Sequence, residues 1–334
     1  MSSTNNYIKL HNLFPIDKAN WNLLCTNSNP DAISILEKNL DKVSWLALSR
    51  NPNALSILEK NCDNVSWSNL SLNINAIPIL RKHIDKVDWY ALSGNPNAIS
   101  ILENNLDKVS WNALSRNPNA IYILENNWDK ISWNNLSSNP SAIHILEKNL
   151  DLVDWKMLSS NRNAIDILEK NLDKVCWSEL STNPGAIRIL ERNSDKVDWW
   201  FLSKNPNAIP ILEKNLDKVI WDYLSLNPNA IQILEKNLDK VCWTYLSYNP
   251  NPKVIRIFEQ HTDKCKFGDL HFGGLYGNPN IFEYDYEAMK TNMYKPDGIG
   301  KALMENMFHP RNMHKWKSWG FAVEGIDDDC DDIG

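Results

Sequence analysis

Apolar and polar positions along the chain recur with a period of 22 residues. Tryptophan stands at positions 45, 67, 89, 111, 133, 155, 177, 199, 221 and 243, each 22 residues after the last. The same letters return around each tryptophan, and residues 205–225 show the unit almost entire: Asn-Pro-Asn-Ala-Ile-x-Ile-Leu-Glu-Lys-Asn-Leu-Asp-Lys-Val-x-Trp-x-x-Leu-Ser. A fixed period of this length is typical of a repeat protein whose units stack along one axis.

The first apolar stretch of each unit follows a position that holds Asn, Asp, Ser or Gly, which is the residue set preferred at helix N-caps. In one unit this position is Asn97, and the apolar residues between Ala98 and Leu106 have the i, i+3, i+4 and i+7 spacing of a helix face. The pattern predicts a helix that begins at the alanine and is capped by the asparagine. Pro78 and Pro210 then fall at the third helical position, where a backbone N–H has no partner inside the helix.

The residue before each tryptophan is also of a capping type in seven of the ten repeats. This pattern predicts a second, shorter helix that carries the tryptophan and the leucine three positions after it. Isolated helices need roughly 12 to 15 residues to be stable, so hairpins of this size must stack and bury their Trp, Ile and Leu side chains against neighbouring units. The sequence therefore predicts an all-α solenoid of short helical hairpins.

A leucine-rich-repeat-like solenoid is the alternative architecture. Its period of roughly 20 to 29 residues includes the one seen here, and its motif also contains a recurring asparagine. The Leu-x-Leu strand core of that repeat is missing, however, and the region after the asparagine has a helical period. The helical solenoid is therefore the favoured fold class.

The repeat weakens toward both ends of the chain, as a stack needs where it meets water. The predicted organisation is an N-terminal cap and half-repeat at 1–28, ten 22-residue repeats at 29–248, a degenerate terminal repeat at 249–275, a helical C-terminal module at 276–322 and an acidic tail at 323–334. Two extra residues are placed before Asn29 to fit the first half-unit into the register. At helix spacings of about 8 to 10 Å, ten stacked units predict a rod or superhelix on the order of 80 to 100 Å long.

Composition limits the classes of partner. The formal net charge of −6 argues against a nucleic-acid partner, because affinity for phosphates is carried largely by clustered Lys and Arg. No apolar run approaches the roughly 20 residues that span a bilayer, and the N-terminus lacks the basic start and apolar stretch of a signal peptide. The six cysteines include no Cys-x-x-Cys pair, which favours reduced thiols. We therefore expect a soluble protein that is not secreted and has no membrane partner.

Residue types used in catalysis and metal binding occur, but not in a pattern typical of a site. Ser115, Asp107 and Glu103 of one unit have counterparts in nearly every other unit, whereas an active site needs a single constellation. The candidates for a metal cluster are Cys265, His271, His309 and His314. Their spacing matches no zinc signature. We expect no catalytic residues, no metal and no cofactor, and we interpret the protein as not an enzyme.

The repeat unit at 205–225 resembles the Asn-Pro repeat proteins that mimivirus-like giant viruses encode in multiple copies. The similarity covers roughly residues 17–270, and residues 281–290 and 307–312 look like the tail of those proteins. The resemblance implies a viral protein with a repeat fold that acts in the host-cell cytoplasm or in the virion. It implies no activity, because the family is largely uncharacterised.

Variation between units indicates which positions face outward, because the positions that stay fixed build the stack. The two residues after the tryptophan and the residue before the asparagine vary most, and in the later units they become aromatic. These residues are Trp200, Phe201, Tyr223, Tyr245 and Tyr248. Such side chains are typical anchors of protein interfaces, although the same residues could instead pack between the second helices. We expect a non-enzymatic protein-interaction scaffold for a host or viral protein; the alternative is a self-associating structural component of the virion or viral factory.

Overall fold

A computed structural model describes residues 8–10, 16–264 and 273–285, together with residues 287 and 291. The chain divides into two compact units, of which one comprises residues 10–281 and contains all the repeats. The other comprises residues 1–9 and 282–334. Most of the second unit, including the larger part of the predicted C-terminal module and the whole acidic tail, lies outside the described residues.

Each repeat contains two short α-helices, as the spacing predicts, and we call them the Trp helix and the Ile helix. The Trp helices, with one final helix that takes the same place, are α1 (Trp21–Thr26), α3 (Trp45–Ser49), α5 (Trp67–Leu72), α7 (Trp89–Ser93), α9 (Trp111–Arg116), α11 (Trp133–Ser137), α13 (Trp155–Ser160), α15 (Trp177–Thr182), α17 (Trp199–Lys204), α19 (Trp221–Leu226), α21 (Trp243–Leu246) and α23 (Gly273–Tyr276). The Ile helices are α2 (Asp31–Glu37), α4 (Leu55–Lys60), α6 (Ile77–Lys82), α8 (Ile99–Leu102), α10 (Ile121–Glu125), α12 (Ile143–Leu146), α14 (Ile165–Glu169), α16 (Ile187–Arg192), α18 (Ile209–Glu213), α20 (Ile231–Glu235) and α22 (Lys253–Gln260). Short 3-10 helices span Ile16–Lys18, Pro96–Ala98, Glu103–Asn105, Trp128–Lys130 and Thr262–Lys264.

The all-α solenoid is confirmed, and the leucine-rich-repeat alternative is wrong because residues 16–264 contain no strand. Strands β1 (Ile8–Leu10) and β2 (Phe282–Tyr284) pair in a two-stranded sheet. Lys9 Nζ lies 3.6 Å from Glu283 Oε1 across it. None of the helices among the described residues is both long enough and apolar enough to cross a membrane.

The predicted caps of the Trp helices are largely confirmed. Ser44, Asp88, Ser110, Asp154 and Asp198 each accept a hydrogen bond from the backbone N–H three residues on. In the other two Trp helices that follow a serine, the cap hydroxyl instead accepts from an asparagine side chain three residues later. Local capping chemistry therefore accounts for where most of these helices begin.

The predicted cap of the Ile helix is wrong by one residue. Helix α8 begins at Ile99 rather than Ala98, and the residue before it offers no side-chain cap. Asn97 is held in a turn because its own N–H donates to Asn95 Oδ1 at 3.0 Å. Its side chain donates to the Ile74 carbonyl of the preceding repeat at 2.8 Å. The asparagine therefore joins two repeats instead of capping a helix.

The core of the stack consists of small and branched side chains. Ala98, Leu102 and Leu114 are fully buried, and their counterparts in the other repeats are buried too. The tryptophans that begin the helices are only half-buried, contrary to the expectation that they bury with the Ile and Leu residues. A lysine of the next repeat lies over the indole in seven described pairs, as Lys108 does over Trp89 at 5.2 Å from the ring centroid. The ammonium group must stay hydrated, so this edge of each indole stays near water.

One buried asparagine in each repeat, which we call the junction asparagine, joins that repeat to the one before. Asn117 Nδ2 donates to the carbonyls of Ser93 and Asn95, both at 3.0 Å, and its Oδ1 accepts from Asn119 N–H at 3.0 Å. Because all three polar positions of the amide are bonded, a buried polar side chain is tolerated here. The junction asparagines thus form a ladder through the stack.

A second ladder runs through the serine two residues before each junction asparagine. Ser115 Oγ donates to the Trp111 carbonyl at 2.7 Å and accepts from the Ser132 N–H of the next repeat at 3.0 Å. The same pair of bonds recurs in every repeat from Ser49 to Ser225. Ser115 therefore links its own repeat to the next one by a hydrogen bond.

The asparagine ladder returns to its starting point. Asn278 Nδ2 donates to the Asn249 carbonyl at 2.9 Å, which adds one rung beyond the last full repeat. Asn27 Nδ2 donates to the carbonyls of Tyr276 and Asn278 at 2.9 and 3.0 Å. Among the described residues the complete circle is Asn27, Asn51, Asn73, Asn95, Asn117, Asn139, Asn161, Asn183, Asn205, Asn227, Asn249 and Asn278. The compact unit formed by residues 10–281 is therefore a closed ring of repeats.

Residues 273–281, which we call the closing segment, take the twelfth place in this ring. Their sequence Leu-Tyr-Gly-Asn-Pro-Asn matches the Leu-Ser-x-Asn-Pro-Asn of a repeat junction. A Cβ atom at Gly274 would lie 2.8 Å from the carbonyl carbon of Ser247. Helix α23 therefore lies closer to the end of α21 than a side chain at position 274 would allow. The repeat contacts therefore continue beyond residue 275, where the sequence pattern places the end of the terminal repeat.

The predicted rod or superhelix is wrong. Twelve units complete a full circle, so each unit is rotated by about 30° relative to the one before. The sequence pattern does not predict this rotation. The placement of the two extra residues before Asn29 is also wrong. Asn27 is the junction asparagine, and Asn29 Nδ2 donates to the Pro279 carbonyl at 2.8 Å, so the extra residues follow Asn29.

Cys25 tests the packing of the first unit chemically. It occupies the serine position of that unit, and its side chain is fully buried. Burial also raises the pKa of its thiol, which lowers the reactive thiolate fraction. We expect iodoacetamide to modify Cys25 far more slowly than the partly exposed Cys62, as measured by mass spectrometry of the native protein. Equal rates at the two thiols would contradict the burial of Cys25 between the first unit and the next.

Candidate interaction surface

The aromatic residues singled out from the sequence lie on three neighbouring Trp helices. Trp200 and Phe201 belong to α17, Tyr223 to α19 and Tyr245 to α21, while Tyr248 follows α21. The leucine three positions after the tryptophan is fully buried in each of these helices, and the two residues between them are more exposed. Trp200 is 51% exposed and Tyr245 36% exposed, whereas Phe201 and Tyr223 are half-buried.

Three of the five side chains form a continuous stack across the repeats. The ring centroids of Trp200 and Tyr223 are 4.4 Å apart, with an interplanar angle of 42°. Those of Tyr223 and Tyr245 are 6.0 Å apart at 26°, which is a stacked pair. We call Trp200, Tyr223 and Tyr245 the aromatic stack. It presents apolar, partly exposed ring surface along one line.

A pocket of about 300 Å³ opens beside the first two rings of the stack. It is lined by Thr182, Trp200, Phe201, Lys204, Asn205 and Tyr223. Phe201 therefore contributes to the pocket rather than to the stack. Asn205 is a junction asparagine whose amide is already bonded to the preceding repeat, which leaves aromatic walls and one cationic group.

Tyr248 lies elsewhere. Its ring packs against the closing segment, where a Cβ atom at Gly274 would lie 2.8 Å from Tyr248 Cδ2. It remains 48% exposed. The structure therefore places Tyr248 beside the closing segment, apart from the aromatic stack.

Lys204 is the residue of this surface that the sequence analysis missed. Its side chain is exposed, and within the described residues it has no ion pair and no hydrogen-bond partner. The equivalent residue four repeats earlier is Arg116, whose Nη2 donates to Asn135 Oδ1 of the next repeat at 2.8 Å. Tyr223 occupies the place of Asn135, so the cation at Lys204 faces an aromatic ring where Arg116 has an acceptor. The position before the junction asparagine varies between repeats, but only its aromatic residues were predicted to contact a partner.

The acidic residues on the two flanking helices, Glu179 of α15 and Asp222 of α19, are not among the residues that line the pocket. Glu179 Oε1 lies 3.8 Å from Lys156 Nζ. Asp222 interacts with the Cys242 thiol, whose pKa is raised by burial first and by this carboxylate in addition. The one charged residue in the pocket lining is therefore a lysine, on a chain whose formal net charge is −6.

The part of the chain that the structure describes holds no group of three His, Cys, Asp or Glu side chains arranged to bind a metal. Cys265, His271, His309 and His314, the candidates from the sequence, lie outside the described residues. Nothing in the described geometry therefore tests them.

Comparison with known proteins found no match to a protein-family model, to a curated protein or to a solved structure.

Proposed function

We propose that this chain is a non-enzymatic protein-interaction scaffold and that the aromatic stack is its principal contact with a protein partner. The observation that carries the proposal is the contiguity of Trp200, Tyr223 and Tyr245 on the surface of three adjacent repeats. Large aromatic side chains dominate binding energy at protein interfaces, and a clustered set is more effective than scattered ones.

The hydrogen-bond ladders that join the repeats beneath the aromatic stack support this role. Each repeat is tied to its neighbours by the asparagine and serine ladders, so the three rings are held at fixed separations. A surface that is ordered before binding loses less conformational entropy when a partner docks. The resemblance to giant-virus repeat proteins makes a host or viral protein in the host-cell cytoplasm or virion the proposed partner.

A double substitution in the stack tests the proposal. Tyr223→Ala with Tyr245→Ala removes two adjacent rings, and we expect it to abolish capture of a partner that the intact protein retains. The control is Tyr90→Ala with Tyr122→Ala, which removes two tyrosines that are 67% and 73% exposed but lie outside the stack. Affinity capture from infected cells, with circular dichroism to establish that all three proteins are folded, gives the measurement.

Retention of the same partner by the stack variant would contradict the proposed surface. Recovery of the chain itself together with capsid or factory proteins would favour the alternative, a self-associating structural component. Closure bears on that alternative, because a closed ring has no free end to which a second ring can add as a further repeat. Concentration-dependent sedimentation of the purified chain measures self-association directly.

A further inference from the structure

We infer that the pocket beside the aromatic stack binds an acidic peptide segment, with one aromatic side chain in the pocket and a carboxylate of the same segment against Lys204. This inference rests on the proposed function and names the chemistry of its partner. It is carried by the shape of the pocket and by Lys204, the one charged residue in its lining.

The pocket has the size and lining for one large apolar side chain. Its volume of about 300 Å³ stands at the lower end of ligand pockets, and its walls are the rings of Trp200, Phe201 and Tyr223. An inserted ring can contact these walls in the offset or edge-to-face arrangements that aromatic pairs prefer. The open stack continues from Tyr223 to Tyr245, which allows neighbouring residues of an extended peptide to lie along it.

Lys204 sets the charge of the ligand. A lysine near an aromatic pocket argues against a cationic ligand, even though aromatic walls alone would favour one. Arg116, at the equivalent position of another repeat, donates a hydrogen bond to Asn135, and Lys204 has no such acceptor among the described residues. Glu179 pairs with Lys156, and neither Glu179 nor Asp222 is among the residues that line the pocket with Lys204. A carboxylate of the ligand would supply the missing acceptor.

A peptide fits this surface better than a single-stranded nucleic acid does. Aromatic stacks also bind bases, but proteins that bind single strands line the groove with positive charge that follows the phosphates. Lys204 is the one charged residue in the pocket lining, so the described surface has no row of cations beside the rings. The pocket therefore favours one anionic group beside one apolar group, as an acidic residue next to an aromatic residue provides.

Selection from a random peptide library displayed on phage tests the inference, because the library itself supplies the candidate ligands. The intact chain is expected to enrich peptides in which Phe, Tyr or Trp lies within a few residues of Asp or Glu. Selection on the Lys204→Glu variant is expected to replace the acidic residue with Lys or Arg and to keep the aromatic one. The Tyr223→Ala, Tyr245→Ala variant is expected to enrich nothing above background.

Affinities of a selected peptide then separate the two contributions. We expect Lys204→Met to weaken binding about three- to tenfold, as loss of one partly exposed charged contact does. Tyr223→Ala should weaken it at least about thirtyfold, as loss of an interface anchor does. The matched control is Arg116→Met, the same loss of charge at the equivalent position of another repeat, and it should leave affinity within about twofold.

The outcomes distinguish this inference from the proposed function. Enriched peptides that lack acidic residues, or whose affinity does not change in Lys204→Glu, would overturn the inference alone. Absence of any enrichment over the double tyrosine variant would overturn both. A fluorescent oligothymidine that binds the intact chain more tightly than the selected peptides, and loses binding in the double variant, would overturn the peptide in favour of a nucleic acid.

Discussion

Asn117→Ala is expected to lower the free energy of unfolding by about 3 to 5 kcal/mol, although the change removes only one small polar side chain. The Ser93 carbonyl and the Asn119 N–H lose their partner, and the Asn95 carbonyl loses one of two. An unsatisfied buried polar group costs roughly 1 to 3 kcal/mol, and the lost volume adds to that. Urea denaturation followed by circular dichroism measures the difference.

The neighbouring asparagine offers a matched control. Asn119 is exposed, and its side chain makes a single bond to the Pro96 carbonyl at 2.9 Å. Asn119→Ala should cost about 1 kcal/mol or less, because water can replace that bond. Equal costs at 117 and 119 would show that burial in the ladder does not set the energy.

Asn27→Ala is expected to destabilise the protein almost as much as Asn117→Ala, within about 1 kcal/mol, because in a ring every rung is an interior rung. An open solenoid predicts the opposite result. There, the bonds of Asn27 to Tyr276 and Asn278 would not exist, and its side chain amide would face water at the first unit. Urea denaturation of the two variants side by side gives the comparison.

Hydrogen exchange locates the damage. In a ring, Asn27→Ala should accelerate amide exchange in both α1 and α23, which lie on opposite sides of the substituted rung and far apart in sequence. Acceleration confined to α1, with a cost near zero, would contradict closure. The same experiment on Asn117→Ala should affect the repeats around α9 instead.

The helical hairpins could be predicted because their signals are local. Asp88 and Ser110 cap the helices that follow them through bonds spanning three residues, so residue type and spacing were sufficient. The Ile helix shows the limit of this reasoning. Asn97 is equally suited to capping, but Asn95 engages its N–H and the preceding repeat engages its side chain, and both competitors act through the folded stack.

Closure could not be predicted from the period. Asn278 lies 29 residues after Asn249, outside the 22-residue register, and its partner Asn27 is at the other end of the chain. The Asn-Pro-Asn at 278–280 was present in the sequence as a signal of a further junction. What decides between a rod and a ring is the rotation between units, which depends on how side chains pack and is not encoded in any single motif.

The aromatic surface was predictable only in part. Variation between units identified Trp200, Tyr223 and Tyr245, because positions that do not pack one repeat against the next are free to change. The role of Lys204 follows from what its neighbour lacks, since Tyr223 replaces the asparagine that Arg116 has beside it. A missing partner is a property of two residues on different repeats, and residue-by-residue variation does not reveal it.

The closed asparagine ladder also constrains how such a gene can change. In an open array, duplicating or deleting one 22-residue segment merely alters length, and copy number can drift. Here, a thirteenth unit would reduce the turn available to each of the others or part the seam between Asn27 and Asn278. Closure therefore makes the number of copies a structural constraint, as the length of a loop or the spacing of two ligands is in other proteins.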